Sequence, residues 1–249
     1  MSVTASSNGP PAMSDRDIIL RDALASAAAD VAEYQASFVR EPGGARIQVA
    51  GVPHALVPAS IVARDLPLAL ARRGGPEAVA LVLYELGALI GGSHAARYFE
   101  DRGIDPQDRL TRVAAGSAHF AWSGYGDVDV LLLDPVWDER IAILWESTNS
   151  ISAEESSRAG RRVRGCHMQA GYGAGWCNAA TGLKLRAVEL ACRTEGAHRC
   201  RFLLGEETRL DELATEPRFH HTRDHYTVHS TSTSAQPTPQ RPAPHSLPD

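Results

Sequence analysis

The sequence predicts an α+β domain in which an antiparallel sheet packs against helices. Helical apolar periodicity dominates residues 17–104, and a period-two alternation follows at 116–134 and 140–148. Two further apolar runs, 183–193 and 200–205, flank the polar turn TEGAH, which is the pattern of a β-hairpin. Helices that precede a group of strands favour an α+β class over an alternating α/β one.

Length and composition limit the function classes. The chain has 249 residues, 43% of them hydrophobic, and a net charge of −5, so bulk charge does not indicate direct nucleic-acid binding. We find no apolar stretch of the roughly 20 residues that a membrane span needs. The N-terminus lacks the basic start and apolar run of a secretion signal. We therefore expect a cytoplasmic protein without a membrane partner.

The N-terminal region divides at about residue 16. Residues 1–16 are small, polar and proline-bearing, and we expect them to be disordered. Residues 17–44 form a separate N-terminal unit, in which a helix runs to about Phe38. Its apolar stripe consists of Ile18, Ile19, Leu24, Ala27, Val31 and Tyr34.

A helical block follows the short strand predicted within residues 45–58. The segment 60–75 is predicted to be helical and to stop at its terminal Gly-Gly. The run AVALVLYELGALI is apolar on nearly all sides, which indicates a central core helix. We expect that helix to break at Gly91-Gly92 before helix resumes.

The C-terminal half begins with strands, one of which carries His119. A helix is then predicted from Ser152, with Glu155 completing a capping pattern, to about Trp176. Residues 216–249 are rich in Ser, Thr, Pro and His, and we expect a disordered tail. The tail histidines that could bind metal adventitiously are His220, His221, His225 and His229.

A metal site is predicted from Cys166, Glu189, Cys192 and Cys200. Three thiolates and a carboxylate complete a tetrahedral set for zinc and leave no open position, so the role would be structural. Residues three apart on a straight strand face opposite sides, so Glu189 and Cys192 can share a metal only if the strand bends or Cys192 lies at the turn. Alternatively, the cysteines are small buried hydrophobes. Cys177 lies outside this spacing and is interpreted as an ordinary thiol.

The stretch 145–204 resembles the 4-vinyl reductase domain, and most closely its form in the sensor module of aromatic-responsive bacterial enhancer-binding activators. The shared pattern C-W…G-Y-x-S-G-Y…G…E-x-x-C…G…C appears here as CH, GYGAGW, G, ELAC, G and C, with gaps of 23, 3 and 8 between the four candidate ligands. The departures are His167 for Trp, Ala174 for Ser and Trp176 for Tyr. A weaker likeness extends over about 45–210.

The resemblance also implies a ligand pocket. It maps the family's ligand-contacting His and Trp onto His119 and Trp145, which would hold the hydroxyl of a phenol-like effector. Candidate wall residues are Phe120, Trp122, Tyr172 and Trp176. Alternatively, His119 is an exposed or satisfied strand histidine, and Trp122 and Trp176 are plain core.

The resulting hypothesis is a zinc-stabilised sensor module for a small hydrophobic or aromatic ligand, with residues 45–215 as the binding domain and its 4-vinyl reductase-type part at about 140–210. The resemblance implies a homodimer through the 17–44 unit, and we expect output in transcription regulation through a protein partner, since no ATPase or DNA-binding segment is visible. The alternatives are an accessory or enzymatic protein in tetrapyrrole vinyl reduction and a non-catalytic scaffold. No catalytic motif compels an enzyme, and GxGxxG fails at Trp176.

Overall fold

The computed structural model describes residues 14–41, 46–133 and 137–220. Its architecture is α+β, as predicted. The helices are α1 (Asp15–Gln35), α2 (Leu66–Arg102), α3 (Arg109–Trp122), α4 (Ile151–Arg158), α5 (His167–Thr181) and α6 (Leu210–Thr215). The strands are β1 (Val39–Glu41), β2 (Arg46–Val49), β3 (Val52–His54), β4 (Asp129–Leu133), β5 (Ala142–Ser147), β6 (Leu185–Ala191) and β7 (Cys200–Glu206).

The main sheet is antiparallel, in the order β4-β5-β7-β6, and the predicted β6–β7 hairpin is confirmed. Its two faces bury different sets of side chains. Trp145 and Phe202 pair across β5 and β7 and stack with ring centroids 5.0 Å apart in the main core. Leu144 and Leu203 face the opposite side, in a smaller cluster with α6. Strands β1 to β3 form a separate antiparallel sheet.

Helix α1 begins with a reciprocal cap. The Ser14 hydroxyl accepts from the Asp17 backbone N–H, and the Asp17 carboxylate accepts from the Ser14 backbone N–H. Two members of the predicted stripe, Ile18 and Ile19, are exposed, whereas the rest of the stripe is buried together with Leu20. The helix therefore uses its apolar face within its own chain.

Helix α2 bends where the sequence predicts a stop, because Gly75 has a left-handed φ of 75°. The predicted break at Gly91-Gly92 is wrong, since α2 continues through both residues. The reason is close helix packing. A Cβ added to Gly91 would lie 2.2 Å from the Tyr172 carbonyl oxygen, so α2 and α5 touch through their backbones.

The same contact repeats in both helices. Gly87 of α2 meets the Met168 carbonyl oxygen, and Gly175 of α5 meets the Ala88 carbonyl oxygen, each at 2.0 Å from a built Cβ. Glycines four residues apart lie on one helix face, so each helix has a row without side chains where it contacts the other. The glycines of GYGAGW thus serve helix packing rather than phosphate binding.

Gly91 and Gly92 offer a matched test of this packing. We expect Gly91→Ala to lower the free energy of unfolding by at least about 2 kcal/mol, because the added methyl group overlaps backbone that cannot rotate away. A Cβ at Gly92 would lie 3.5 Å from its nearest atom. Gly92→Ala should therefore be neutral or stabilising by up to about 1 kcal/mol through helix propensity. Urea unfolding of the two variants measures both values, and equal effects would contradict this account.

The predicted strand through His119 is wrong, because residues 109–122 form α3. The Asp108 side chain caps this helix by accepting from the Thr111 backbone N–H at 3.1 Å. Val113, Ala114 and Phe120 are then buried at helical spacing. The small residues of this segment allow either pattern locally, and burial against α1 and α5 selects the helix.

The predicted helix from Ser152 to Trp176 is two helices, α4 and α5, separated by residues 159–166. Ser152 does not cap α4, which begins one residue earlier. Its hydroxyl instead hydrogen bonds to Gln169 at 3.0 Å, inside the protein. This polar pair joins the two helices.

Residues 216–220 belong to the tail that we expected to be disordered, and the structure describes them. Pro217–Phe219 form a turn in which Phe219 is fully buried, and Arg201 donates to the Phe219 carbonyl oxygen at 3.2 Å. His220 lies at the end of the described chain, and the other tail histidines lie outside the described residues.

A π-helix, Ile61–Asp65, runs directly into α2, and the combined helix Ile61–Arg102 is long and apolar enough by length and composition to cross a membrane. The expectation that no stretch reaches that limit is therefore corrected. Only 28% of its most apolar window is buried inside the protein. A large part of the apolar surface of α2 thus remains uncovered within one chain.

Candidate functional site

The four predicted metal ligands come together at one end of the sheet. Cys166 precedes the first residue of α5, Glu189 lies on β6, Cys192 follows β6, and Cys200 begins β7. All four side chains are buried. The group therefore joins the start of α5 to the tip of the β6–β7 hairpin.

A β-bulge in β6 resolves the spacing problem of Glu189 and Cys192. Glu189 pairs with Phe202, whereas Ala191 pairs with Arg201, so Leu190 has no partner in β7. One extra residue reverses the alternation of faces along a strand. Glu189 and Cys192 consequently point to the same side, as a shared metal requires.

The distances fit a tetrahedral metal. The Sγ atoms of Cys166 and Cys200 lie 3.6 Å apart, and those of Cys192 and Cys200 lie 4.0 Å apart. Tetrahedral zinc with bonds of about 2.3 Å places two sulfurs at about 3.8 Å. One ligand atom of each of the four residues lies within 4.8 Å of the others. The cluster could therefore hold a metal ion.

The Glu189 carboxylate gives an independent indication. Both of its oxygens are buried without a hydrogen-bond partner among the described residues. Burial raises its pKa to about 8, and the nearby Cys192 thiolate adds to this effect. An unpaired buried carboxylate is costly unless a cation compensates it. The donor set thus explains the one orphaned carboxylate of this hairpin.

The surroundings of the cluster supply hydrogen bonds to sulfur. The Arg193 backbone N–H donates to Cys200 Sγ at 3.5 Å. The Ser150 hydroxyl lies 3.2 Å from Cys166 Sγ, whereas the Thr194 hydroxyl, 3.0 Å from Cys192 Sγ, donates its proton to the Val163 carbonyl oxygen at 2.7 Å. Such contacts orient ligands and stabilise negative charge on them.

A second site is an apolar cavity of about 60 Å³ between the helices and the inner face of the main sheet. Leu20 and Leu24 of α1 close one side. Val130 and Ile143 of the sheet form another. The cavity therefore depends on α1 as well as on the domain that follows it.

Three of the predicted wall residues, Phe120, Tyr172 and Trp176, line the cavity, together with Trp145, which the resemblance maps onto a ligand contact. Two glycines make room for the indoles. A Cβ on Gly173 would lie 2.8 Å from the Trp145 ring, and one on Gly116 would lie 2.6 Å from the Trp176 ring. The aromatic walls thus require glycine at these positions of α3 and α5.

The two cavity indoles differ in their hydrogen bonding. The Trp176 N–H donates to the Arg112 carbonyl oxygen at 2.8 Å. The Trp145 N–H makes no hydrogen bond to any residue that the structure describes, although Trp145 is only 6% exposed. Trp145 lines the cavity, and an indole N–H is a donor only, so this group could donate to an acceptor oxygen of a ligand.

His119 and Trp122 do not line the cavity, which corrects their predicted place in it. His119 is buried, but its ring nitrogens face other groups: Nδ1 lies 3.1 Å from the Tyr172 hydroxyl and Nε2 lies 2.9 Å from the Gln35 amide. The helical geometry of α3 turns this side chain away from the wall that Phe120 forms. Trp122 is 44% exposed.

The His119 ring belongs to a polar network behind Tyr172. The Tyr172 hydroxyl also lies 3.3 Å from Nδ1 of His94. Burial lowers the pKa of His119 to about 3 and that of His94 to about 4, and repulsion from a protonated His94 or His54 lowers the pKa of His119 further. Both rings are neutral near pH 7, so the network can hold the Tyr172 ring as a wall without placing charge beside the cavity.

Sequence reasoning missed two polar wall residues, Ser117 and Cys177. The Ser117 hydroxyl donates to the Ala114 carbonyl oxygen at 2.9 Å, which leaves its oxygen free to accept. Burial raises the pKa of Cys177 to about 12, so its thiol stays protonated. The helical interval from Gly173 to Cys177 could have indicated a shared face, whereas Ser117 was hidden by the wrong strand assignment.

The metal cluster and the cavity share α5. Cys166 fixes the start of this helix, and Gly173, Trp176 and Cys177 on its later turns line the cavity. The hairpin that carries the other three ligands also carries Phe202, which stacks on Trp145. A metal in the cluster would therefore set the distance between helix and sheet on two sides of the cavity.

Comparison with solved structures shows a known fold. The phenol-responsive sensory domain of the transcription activator PoxR, solved with phenol, superposes with a TM-score of 0.65 at 18% identity, over 82% of this chain and 98% of that one. A trafficking protein particle complex subunit 3 from Naegleria fowleri, covalently bound to palmitic acid, gives 0.46 at 10% identity, over 59% and 91%. The first comparison establishes that the two chains share a fold.

Sequence comparisons give no match. No protein-family model matches the chain, and no curated protein matches it. The resemblance to the 4-vinyl reductase family is therefore not confirmed at the level of a family model.

Proposed function

We propose that this protein is a sensor module that binds a small, largely apolar molecule carrying one acceptor oxygen, of the class of phenols. The observation that supports this most strongly is Trp145, which lines an apolar cavity with three other aromatic residues and whose N–H has no partner among the described residues. Apolar cavities with a few placed polar groups are the usual sites of small ligands. The fold shared with a phenol-responsive sensory domain is in line with this proposal.

Cavity size favours a single ring. The cavity of about 60 Å³ is smaller than the roughly 150 Å³ that accommodates benzene in an engineered protein core. A single-ring ligand would therefore enter only if wall side chains, such as the leucines of α1, moved to enlarge the cavity. A tetrapyrrole is many times larger than this space, so the cavity favours the sensor hypothesis over a pigment-related one.

The metal cluster supports the cavity rather than acting on the ligand. We propose zinc, because three thiolates and one carboxylate with tetrahedral distances match its preference. Cys166, Glu189, Cys192 and Cys200 would hold the ion and would fill its four positions. Output from the module, in regulation of transcription, would then pass through a protein partner.

Thermal shift with phenol tests the proposal. At phenol concentrations near 100 times the Kd, we expect the melting temperature to rise by about 5 °C or more, because a ligand that binds only the native state stabilises it by about 2.7 kcal/mol. Trp145→Phe keeps an aromatic ring and removes the donor. It should weaken phenol binding by about fivefold to tenfold, the value of one neutral hydrogen bond.

Trp122→Phe is the matched control, since it makes the same replacement outside the cavity and should leave the response unchanged. Toluene, which lacks the hydroxyl, should bind Trp145→Phe and the parent protein equally well. An absence of stabilisation by phenol, toluene and their alkyl relatives alike would refute a binding role for the cavity.

A further inference from the structure

Helix α1 covers one side of the cavity as an outer layer. Leu20 and Leu24 line the cavity, and each is 7% exposed. Ile19 and Arg21 lie on the opposite face of the same helix and are exposed. On this side the cavity is therefore separated from solvent by the thickness of a single helix.

The C-terminal end of α1 is attached to α2 by charged hydrogen bonds. Arg102 Nε donates to the Asp30 carboxylate at 2.9 Å. The Tyr34 hydroxyl donates to the Asp101 carboxylate at 3.0 Å. Hydrogen bonds with a charged partner are stronger than neutral ones, so the last two turns of α1 are held firmly against the end of α2.

The N-terminal end of α1 is held at the edge of the main sheet. Arg16 Nη2 donates to the carbonyl oxygen of Leu133 at 2.7 Å, across 117 residues of sequence. Leu133 is the last residue of β4, and it also lines the cavity. Between Arg16 and Asp30, the buried face of α1 consists of Leu20, Leu24 and Ala27. The Arg16–Leu133 contact thus keeps the two leucines over the cavity.

The other walls of the cavity are fixed by more extensive contacts. Strands β4 and β5 are paired in the main sheet. Helix α5 contacts α2 backbone to backbone, as Gly91 and Tyr172 show. The loop before β4 is held by the Asp127 carboxylate, which accepts from the Thr148 backbone N–H at 2.6 Å and from the Ser147 hydroxyl at 3.1 Å. The wall that opens at the lowest free energy is therefore the N-terminal half of α1.

We propose that residues 15–25 of α1 form the gate of the cavity, and that the gate opens when the Arg16–Leu133 contact breaks. The C-terminal end of the helix stays attached to α2. One movement then provides both an entrance and the space that the cavity of about 60 Å³ lacks for a single ring. The gate rests on the proposed function only for the class of molecule that passes through it. Because binding must wait for opening, entry is slower than diffusion.

The Cys177 thiol reports opening of the gate without any ligand. Cys177 lines the cavity and is 7% exposed, so a small reagent such as methyl methanethiosulfonate reaches it only through an opening. Arg16→Met removes the hydrogen bond to Leu133 and keeps a long side chain. We expect this variant to speed the labelling of Cys177, followed by mass spectrometry of its peptide, by at least about fivefold, the value of one hydrogen bond.

Arg73→Met is the matched control. Arg73 is exposed and donates to the Ala69 carbonyl oxygen of its own helix at 3.4 Å, so its loss should leave the labelling rate unchanged. The three cluster cysteines are an internal reference in every sample. Opening of the gate speeds labelling of Cys177 alone, whereas loosening of the whole domain speeds labelling of all four cysteines. An unchanged Cys177 rate in Arg16→Met, or equal acceleration at the cluster, would overturn the gate.

Phenol separates the gate from the proposed ligand. At 100 times its Kd, phenol should slow the labelling of Cys177 by about 100-fold, because the closed, occupied cavity excludes the reagent. If phenol has no effect and Arg16→Met still speeds labelling, the gate is supported and phenol is the wrong ligand. If phenol raises the melting temperature and the Cys177 rate does not respond to Arg16→Met, the binding role stands and the gate is refuted.

Discussion

Removal of the metal is expected to unfold the β6–β7 hairpin and to collapse the cavity. Cys200→Ser, or a strong chelator, should abolish the cooperative thermal transition or lower its midpoint by more than 10 °C, because structural zinc contributes on the order of 10 kcal/mol of folding free energy in small zinc domains. Without the ion, the Glu189 carboxylate and three thiols are left together in a buried space. Elemental analysis should find about one zinc per chain in the parent protein.

Cys177→Ala is the matched control for this prediction. Cys177 is also a buried cysteine, but it lines the cavity and lies outside the cluster. The variant should retain its zinc and most of its stability. A thiol reagent added to the native parent should react slowly with the three cluster cysteines and rapidly after chelation. A parent protein that contains no metal, unfolds cooperatively and keeps the same melting temperature in the presence of the chelator would contradict the structural role of the cluster.

Arg201→Met is expected to be the most damaging change away from the cluster. Arg201 and Glu146 are 6% and 3% exposed, and Arg201 Nε donates to the Glu146 carboxylate at 2.8 Å. Removing Arg201 leaves the buried Glu146 carboxylate with the more distant Arg199, 3.7 Å away, so the loss should approach the about 3–5 kcal/mol of a broken buried pair and lower the melting temperature by about 6–20 °C. The same guanidinium also holds the Phe219 carbonyl oxygen, so the end of the described chain should loosen as well.

The neighbouring strand supplies the control for the ion pair. Arg186 of β6 lies 3.7 Å from Glu207, and both side chains are more than half exposed. Arg186→Met should change stability by about 1 kcal/mol or less. In the double variant Arg201→Met/Glu146→Leu, most of the lost stability should return, because no charge is then left unpaired in that pair. Equal losses for Arg201→Met and Arg186→Met in urea unfolding would show that burial of the pair does not matter.

Local sequence patterns were sufficient where a structure depends on nearby residues. The spacing of Glu189, Cys192 and Cys200 lies within one hairpin, so the turn and the shared donor set followed from it. The need for a bend between Glu189 and Cys192 also followed from strand geometry, and the bulge at Leu190 supplies it. Which form the bend would take was not visible, because a bulge depends on pairing with β7.

Prediction failed where distant packing decides the outcome. The pattern of apolar residues around His119 is compatible with a strand or with a helix. Contacts of this segment with α1 and α5 favour the helix. Gly91 and Gly92 suggest a break until the backbone of Tyr172 and Gly175 in α5 is placed against them. Leu20 and Ser117 could not be predicted as cavity residues for the same reason. Each faces the cavity only because α1 and α3 pack against the rest of the domain.

The NMR chemical shift of the Trp145 indole N–H gives the most direct test of the central claim, which is that the cavity binds a small ligand through this group. In a nitrogen-15 correlation spectrum, each of the four tryptophans gives one indole signal. Trp145→Phe identifies the relevant signal by its loss. On addition of phenol, we expect the Trp145 signal to move to lower field and to saturate, because the N–H gains a hydrogen-bond acceptor, whereas the exposed Trp122 signal stays in place. A titration that moves the Trp122 signal and leaves the Trp145 signal unchanged would contradict the account.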